Sequence, residues 1–151
     1  MLKTGDKAPD ISLSDKDGKT FTLSSLYGKK NIVLYFYPKN FTPGCTKEAC
    51  SFRDAYEDFL EAGAEVIGVS ADTVASHAKF ASGRDLPFIL LSDPKFEAHK
   101  AYNVKPSLFG ILRARATYVI DKEGTIRNAF ESQLNIGKHI QEALTVVKEL
   151  S

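Results

Sequence analysis

Two rhythms of hydrophobic and polar positions run along this chain. Residues 8–14 (APDISLS) and 20–23 alternate with a period of two, and Asp15, Lys16, Asp17 and Gly18 between them carry turn chemistry, which predicts a β-hairpin. Residues 24–28 predict a short turn or helical piece. Residues 31–37 (NIVLYFY) are apolar at nearly every position, the pattern of a central strand covered on both faces. The rhythm then changes. Over residues 46–61 the apolar positions are Ala49, Phe52, Ala55, Tyr56, Phe59 and Leu60, a helical stripe closed by Gly63.

Ala64–Ser70 predict a second buried strand, and residues 72–82 a helix with Asp72 as its N-cap. Residues 88–91 predict a third strand, after which Asp93 and Pro94 open a helix reaching about Tyr102. Residues 116–121 and 125–130 predict two strands joined as a hairpin at Lys122, Glu123 and Gly124. Ile136–Leu150 predict a final amphipathic helix. This order implies a three-layer α/β fold with a central mixed β-sheet and an N-terminal β-hairpin. No repeat, low-complexity run or long linker divides the chain, so residues 1–151 are read as a single domain, long enough to bury a core.

The stretch from Pro38 to Cys50 (PKNFTPGCTKEAC) joins the first buried strand to the first long helix and holds both cysteines. Pro43 suits the first helical position, which makes Thr42 the N-cap and puts Cys45 in the first turn. There the helix dipole and unpaired amide N–H groups favour a negatively charged sulfur, and the thiolate is the nucleophilic form. The plainer alternative is that Cys45 is a small buried apolar side chain, and Cys50, on the apolar stripe, is open to the same reading.

Composition narrows the field. Lys and Arg number 20 against 19 Asp and Glu, a net charge of +1, which gives no footing for nucleic acid or an anionic membrane. The apolar runs are too short to span a bilayer, and the first ten residues lack an apolar signal region, so a cytoplasmic protein is expected. In a reducing compartment a close pair of cysteines is redox-active or metal-binding sooner than structural. Metal binding fits poorly, because four residues separate the cysteines and His77, His99 and His139 are scattered. Those histidines read as solvated helix residues, and no local motif ties Cys45 to a histidine base.

Spacing adds a constraint. Residues five apart on an ideal helix are turned by about 140° and shifted by about 7.5 Å, which places their Cα atoms roughly 8.6 Å apart. A disulfide needs about 4.4–6.8 Å. Any bond between Cys45 and Cys50 therefore requires the first turn of the helix to unwind.

Pro38, Thr42 and Cys45 form P-x-x-x-T-x-x-C, which resembles the peroxidatic motif of the peroxiredoxins. The wider run YPKNFTPGCTKEAC is similar to the bacterioferritin-comigratory or Q-type subgroup, and so are GDKAPDISLSDKDG, VIGVSAD, FILLSDP and RATYVIDKEG. The resemblance covers nearly the whole chain. It implies a thioredoxin-like fold and thiol-dependent reduction of hydrogen peroxide and organic hydroperoxides. In that pattern Cys45 matches the attacking cysteine and Cys50 the resolving one, which implies a Cys45–Cys50 disulfide after oxidation. Thr42 matches the hydroxyl that bonds the sulfur or peroxide, and Pro38 the proline that shields the pocket. Arg115 matches the distant arginine that supports thiolate and peroxide, in preference to Arg113, and Glu48 matches a structural acid near the site. Thioredoxin or a similar dithiol would be the reducing partner, a monomer is expected, and no metal or other cofactor is implied. The segment 104–110 looks shorter than the loop usual in the subgroup.

Two other readings use the same residues. A thiol–disulfide oxidoreductase on this fold would normally carry CxxC, which the chain lacks. A redox sensor or holdase would use the cysteine switch without turnover.

Overall fold

The computed structural model describes residues 1–107, 112–113, 115–133 and 135–151. Its frame is a seven-stranded mixed sheet. The strands are β1 (Ser12–Asp15), β2 (Thr20–Thr22), β3 (Asn31–Phe36), β4 (Ala64–Ser70), β5 (Ile89–Ser92), β8 (Ala116–Ile120) and β9 (Ile126–Glu131). Two further short strands, β6 (Pro106–Ser107) and β7 (Leu112–Arg113), pair only with each other. The sheet order is β2-β1-β5-β4-β3-β8-β9. β3, β4 and β5 run parallel, while β8 lies antiparallel to β3 and β9 antiparallel to β8. The expected N-terminal hairpin is β1–β2, joined to the sheet by the β1–β5 pairing.

All six residues of β3 are buried, as a run without alternation requires when both faces are covered. Val33, Tyr35 and Tyr37 point into one apolar layer and Ile32, Leu34 and Phe36 into the other. The first layer is completed by α1 (Pro43–Asp54), α2 (Tyr56–Glu61), α3 (Val74–Arg84) and α5 (Ile136–Leu150). The second takes Ala98 from α4 (Glu97–Ala101), together with Ala8, Ile11 and Leu23. Tyr35 fastens α1 to the sheet by stacking on Phe52, with ring centroids 4.5 Å apart. Gly68 on β4 makes room for that ring, since a Cβ there would lie 2.8 Å from the Tyr35 Cζ.

Several boundaries differ from the sequence reading. The helix expected over 46–61 is two helices, broken at Ala55 (φ −96°, ψ 1°). The third helix begins at Val74, and Thr73 is its N-cap, accepting from the Ser76 amide at 3.1 Å. Asp72 does not cap it because its carboxylate is engaged by the Asn40 amide (2.9 Å) and the Ser70 hydroxyl (2.6 Å). Likewise Asp93 does not open α4; it accepts from both the backbone and the ring of His99, and α4 starts later, after Phe96. The loop noted at 104–110 lies partly outside the described residues.

Candidate active site

The topology explains how distant residues meet. β3 ends at Phe36, and the chain turns through residues 37–42 into α1. Because β8 runs antiparallel to β3, with Ala116 opposite Phe36, its first residue lies beside the last residue of β3. Arg115, one residue earlier, is thereby delivered to the mouth from which α1 starts. The turn is anchored at Asn40, whose side chain accepts from the Tyr37 hydroxyl (2.6 Å) and donates to the Ser76 hydroxyl (3.1 Å). Phe41 follows in the left-handed region (φ 65°), which is costly for a non-glycine residue, and is 55% exposed.

Thr42 holds the N-cap position and Pro43 is the first helical residue, as expected. The Thr42 side chain does not cap the helix, however: its hydroxyl donates back to the Lys39 carbonyl at 2.8 Å. Cys45 is the third helical residue and is buried. The first intrahelical bond is made one residue later, from the Thr46 amide to the Thr42 carbonyl, so the Gly44 and Cys45 amides are left for other partners. One guanidinium nitrogen of Arg115, Nη2, donates to the Cys45 sulfur at 3.4 Å, and the other, Nη1, donates to Glu48 Oε1 at 2.6 Å. Gly44 permits this approach, since a Cβ there would sit 3.2 Å from Nη2.

Glu48 lies one turn beyond Cys45, on the same side of the helix, and is completely buried. It is not a solvated first-turn acid. Burial lifts its carboxyl to about 7 against the opposing pull of Arg115. On Arg115 burial acts in the opposite sense, but Glu48 and Cys45 outweigh it and hold the guanidinium charged. Arg115 Nε also reaches the Gln133 carbonyl at 3.4 Å, so the side chain is held from three directions.

The structure thus brings Cys45, Glu48 and Arg115 together. Pro38 is half-buried at the start of the turn, and Cys50 is partly exposed one and a half turns along α1. Both thiols are free. The unbroken helix over Pro43–Asp54 keeps their Cα atoms at the roughly 8.6 Å expected of ideal geometry. Arg113 belongs to β7, away from the strand that follows Arg115, so the two arginines do not share a strand face.

Sequence reasoning misplaced the three histidines. His77, His99 and His139 are each fully buried, not solvated. His139 is the one at the site: its Nδ1 lies 3.8 Å from Glu48 Oε2 and 2.8 Å from the Thr117 hydroxyl. A signal existed, because His139 stands three residues after Ile136 and four before Ala143, on the apolar stripe of α5. Among the described residues no group of three or more His, Cys, Asp or Glu could hold a metal ion, and no helix is long and apolar enough to cross a membrane.

Comparison with known proteins agrees with this geometry. The AhpC/TSA family profile matches residues 4–129. Peroxiredoxin Q of Triticum aestivum, a chloroplastic protein, is 49% identical over 149 residues, which cover 99% of this chain and 68% of the relative. The chloroplastic peroxiredoxin Q of Arabidopsis thaliana is 50% identical over 147 residues, covering 97% of this chain and 68% of the relative. Among solved structures, peroxidoxin BcpB of Mycobacterium tuberculosis superposes with a TM-score of 0.93 at 38% identity, covering 100% of this chain and 99% of that one. A bacterioferritin comigratory protein of Xanthomonas campestris, described for its alkyl peroxide reduction activity, gives 0.84 at 31% identity and covers 92% of this chain and 90% of that one. The expected cytoplasmic localisation is contradicted by these names: the curated relatives are chloroplastic proteins, which points to a plastid. With the thioredoxin-like fold and a buried cysteine held by an arginine at a helix N-terminus, the match over most of its length shows that the chain belongs to the AhpC/TSA family, among the peroxiredoxin Q and bacterioferritin-comigratory peroxiredoxins, and is a thiol peroxidase.

Proposed function

We propose that the chain reduces hydrogen peroxide and organic hydroperoxides with Cys45 as the attacking thiolate and Cys50 as the resolving thiol. The observation that carries this reading is the hydrogen bond from Arg115 Nη2 to the Cys45 sulfur, made at the N-terminus of α1. In the first step the Cys45 thiolate attacks one peroxide oxygen and a sulfur–oxygen bond replaces the oxygen–oxygen bond. Sulfur loses two electrons, the second oxygen leaves as hydroxide or alkoxide, and a proton from solvent completes water or an alcohol.

Negative charge moves from sulfur to the leaving oxygen during this step. A low thiol pKa cannot supply the rate alone, because nucleophilicity falls with pKa. Donors that follow the charge are needed: the Arg115 guanidinium, the free amides of the first turn and, once turned from the Lys39 carbonyl, the Thr42 hydroxyl. Pro38 walls the same turn, and Glu48 fixes the arginine.

In the second step the Cys50 thiolate attacks the Cys45 sulfenic acid, a sulfur–sulfur bond forms, and hydroxide leaves to become water. Both cysteines lie in one helix, so the first turns of α1 unwind for the bond to form, and a monomer suffices. A dithiol such as thioredoxin then restores both thiols by exchange and is itself oxidised to a disulfide. The alkyl peroxide reduction described for the Xanthomonas campestris relative supports the organic substrates.

Steady-state peroxide consumption with thioredoxin, its reductase and NADPH tests the cycle. The wild-type chain is expected to turn over continuously, and Cys50→Ser to react once per chain and then stop or over-oxidise. Wild-type consumption no faster than the thioredoxin system alone would refute the reading.

A further inference from the structure

Glu48 carries an unanswered question at its second oxygen. Oε1 is bonded to Arg115, but Oε2 is buried without a hydrogen-bond partner. The nearest ring nitrogen is His139 Nδ1, at 3.8 Å. The tautomer of His139 follows from its surroundings. Nε2 lies 2.7 Å from the Ser132 carbonyl, which can only accept, so Nε2 carries the hydrogen. Nδ1 of the neutral ring therefore presents its lone pair, to which the Thr117 hydroxyl donates at 2.8 Å. Burial and the nearby Arg115 charge hold this ring neutral, lowering it to about 4.

A carboxylate at Oε2 would face that lone pair across a dry gap and be repelled, whereas a protonated oxygen would face an acceptor. We propose that His139 is a positioning residue that acts through Glu48: its unprotonated Nδ1 keeps the proton on Glu48, so that the charge of Arg115 is left for the Cys45 sulfur. The proposal deepens the peroxidase reading and rests on it.

The other groups that face this pair are few. From α1 there is Cys45, and from the segment before β8 there is Arg115. β3 supplies the Tyr35 and Tyr37 hydroxyls, both kept un-ionised by burial, and β8 supplies the uncharged Thr117. On its outer side the His139 ring meets the Phe130 ring edge-on, with Lys138 stacked over the far side of that phenyl group. None of these supplies Oε2 with a second cation.

The sign is then fixed. With Glu48 protonated, Arg115 faces sulfur uncompensated and the thiolate is favoured. As pH rises through about 7, where Glu48 ionises, its carboxylate takes up the arginine charge and support for sulfur weakens. The rate of Cys45 oxidation therefore rises with thiol ionisation and bends downward at higher pH.

The test is stopped-flow oxidation by hydrogen peroxide from pH 5 to 9.5, with circular dichroism on each protein. His139→Gln retains an amide able to reach the Ser132 carbonyl but removes the nitrogen that faces Glu48. It is expected to slow oxidation about fivefold at pH 7 and to move the downward bend about one pH unit lower. Glu48→Gln, permanently uncharged, is expected to lose the bend, and His139→Gln added to it to cause no further change. His139→Asn, which retains a polar atom near the Nδ1 position, is expected to recover part of the His139→Gln loss, and it serves in place of His139→Gln if that variant does not fold. A uniform slowing with unchanged pH dependence, or an equal loss on the Glu48→Gln background, would overturn the positioning role. Failure of the wild-type chain to oxidise at Cys45 would instead sink the peroxidase reading.

Discussion

Cys45→Ser is expected to leave a folded protein whose peroxide turnover falls to the uncatalysed background, a loss of about 10⁴-fold or more as for other enzymic nucleophiles. The size of the effect follows from acidity. A serine hydroxyl does not ionise at neutral pH even beside a guanidinium and free helix amides, so no nucleophile remains. The fold should persist because the change is nearly isosteric and Arg115 can donate to an oxygen where it now donates to sulfur. Two measurements check it: thermal melting, with a stability change of about 1–2 kcal/mol at most, and peroxide consumption with thioredoxin. A Cys45→Ser variant that turns over near the wild-type rate would remove the basis of the mechanism.

Arg115→Ala carries the second largest expected loss, about 10²–10³-fold in the rate of Cys45 oxidation. The guanidinium is the sole cation shown on the buried sulfur among the described residues, and it faces the place where the leaving oxygen gains charge. Its removal also strands Glu48 in a dry site. Glu48 can answer by holding its proton, since burial has already raised it to about 7, so the stability cost should fall below the roughly 3–5 kcal/mol typical of a broken buried pair. Arg113→Ala is the control. Arg113 belongs to the β6–β7 pair and not to the strand beside β3, so its loss should slow the peroxide step far less. Stopped-flow oxidation of the two variants decides between them, and a larger loss in Arg113→Ala would reassign the arginine.

How much of this was legible in the chain depended on the range of the interaction. β3 and β4 were readable because both faces are buried and the apolar run is unbroken. α5 was readable because its stripe keeps the helical period over its full length. The break at Ala55 was not, since Ala55 and Tyr56 carry the stripe through the break and periodicity has no term for a single non-helical residue. Asp72 and Asp93 were misread for a common reason: each is a good cap by type, but tertiary partners, Asn40 for one and His99 for the other, claim its carboxylate.

The site divides in the same way. The placement of Cys45 in a first helical turn followed from Thr42 and Pro43 alone. The meeting of Arg115 with Glu48, 67 residues apart, depends on the antiparallel pairing of β8 with β3, which no local pattern encodes; only the family resemblance pointed to it. His139 was missed because a histidine on a helix was read by type, although its spacing from Ile136 and Ala143 marked an inward face.

The central claim is that one peroxide oxidises Cys45 and that Cys50, in the same chain, completes the disulfide. The most direct measurement mixes the reduced protein with one equivalent of hydrogen peroxide, counts the remaining thiols, and maps the cross-link by non-reducing mass spectrometry. The account predicts that both thiols disappear together and that the single product is a Cys45–Cys50 bond within one chain, with loss of amide-exchange protection over residues 43–50 as α1 unwinds. A principal cross-link between chains, an untouched Cys45, or unchanged protection over those residues after oxidation would contradict it.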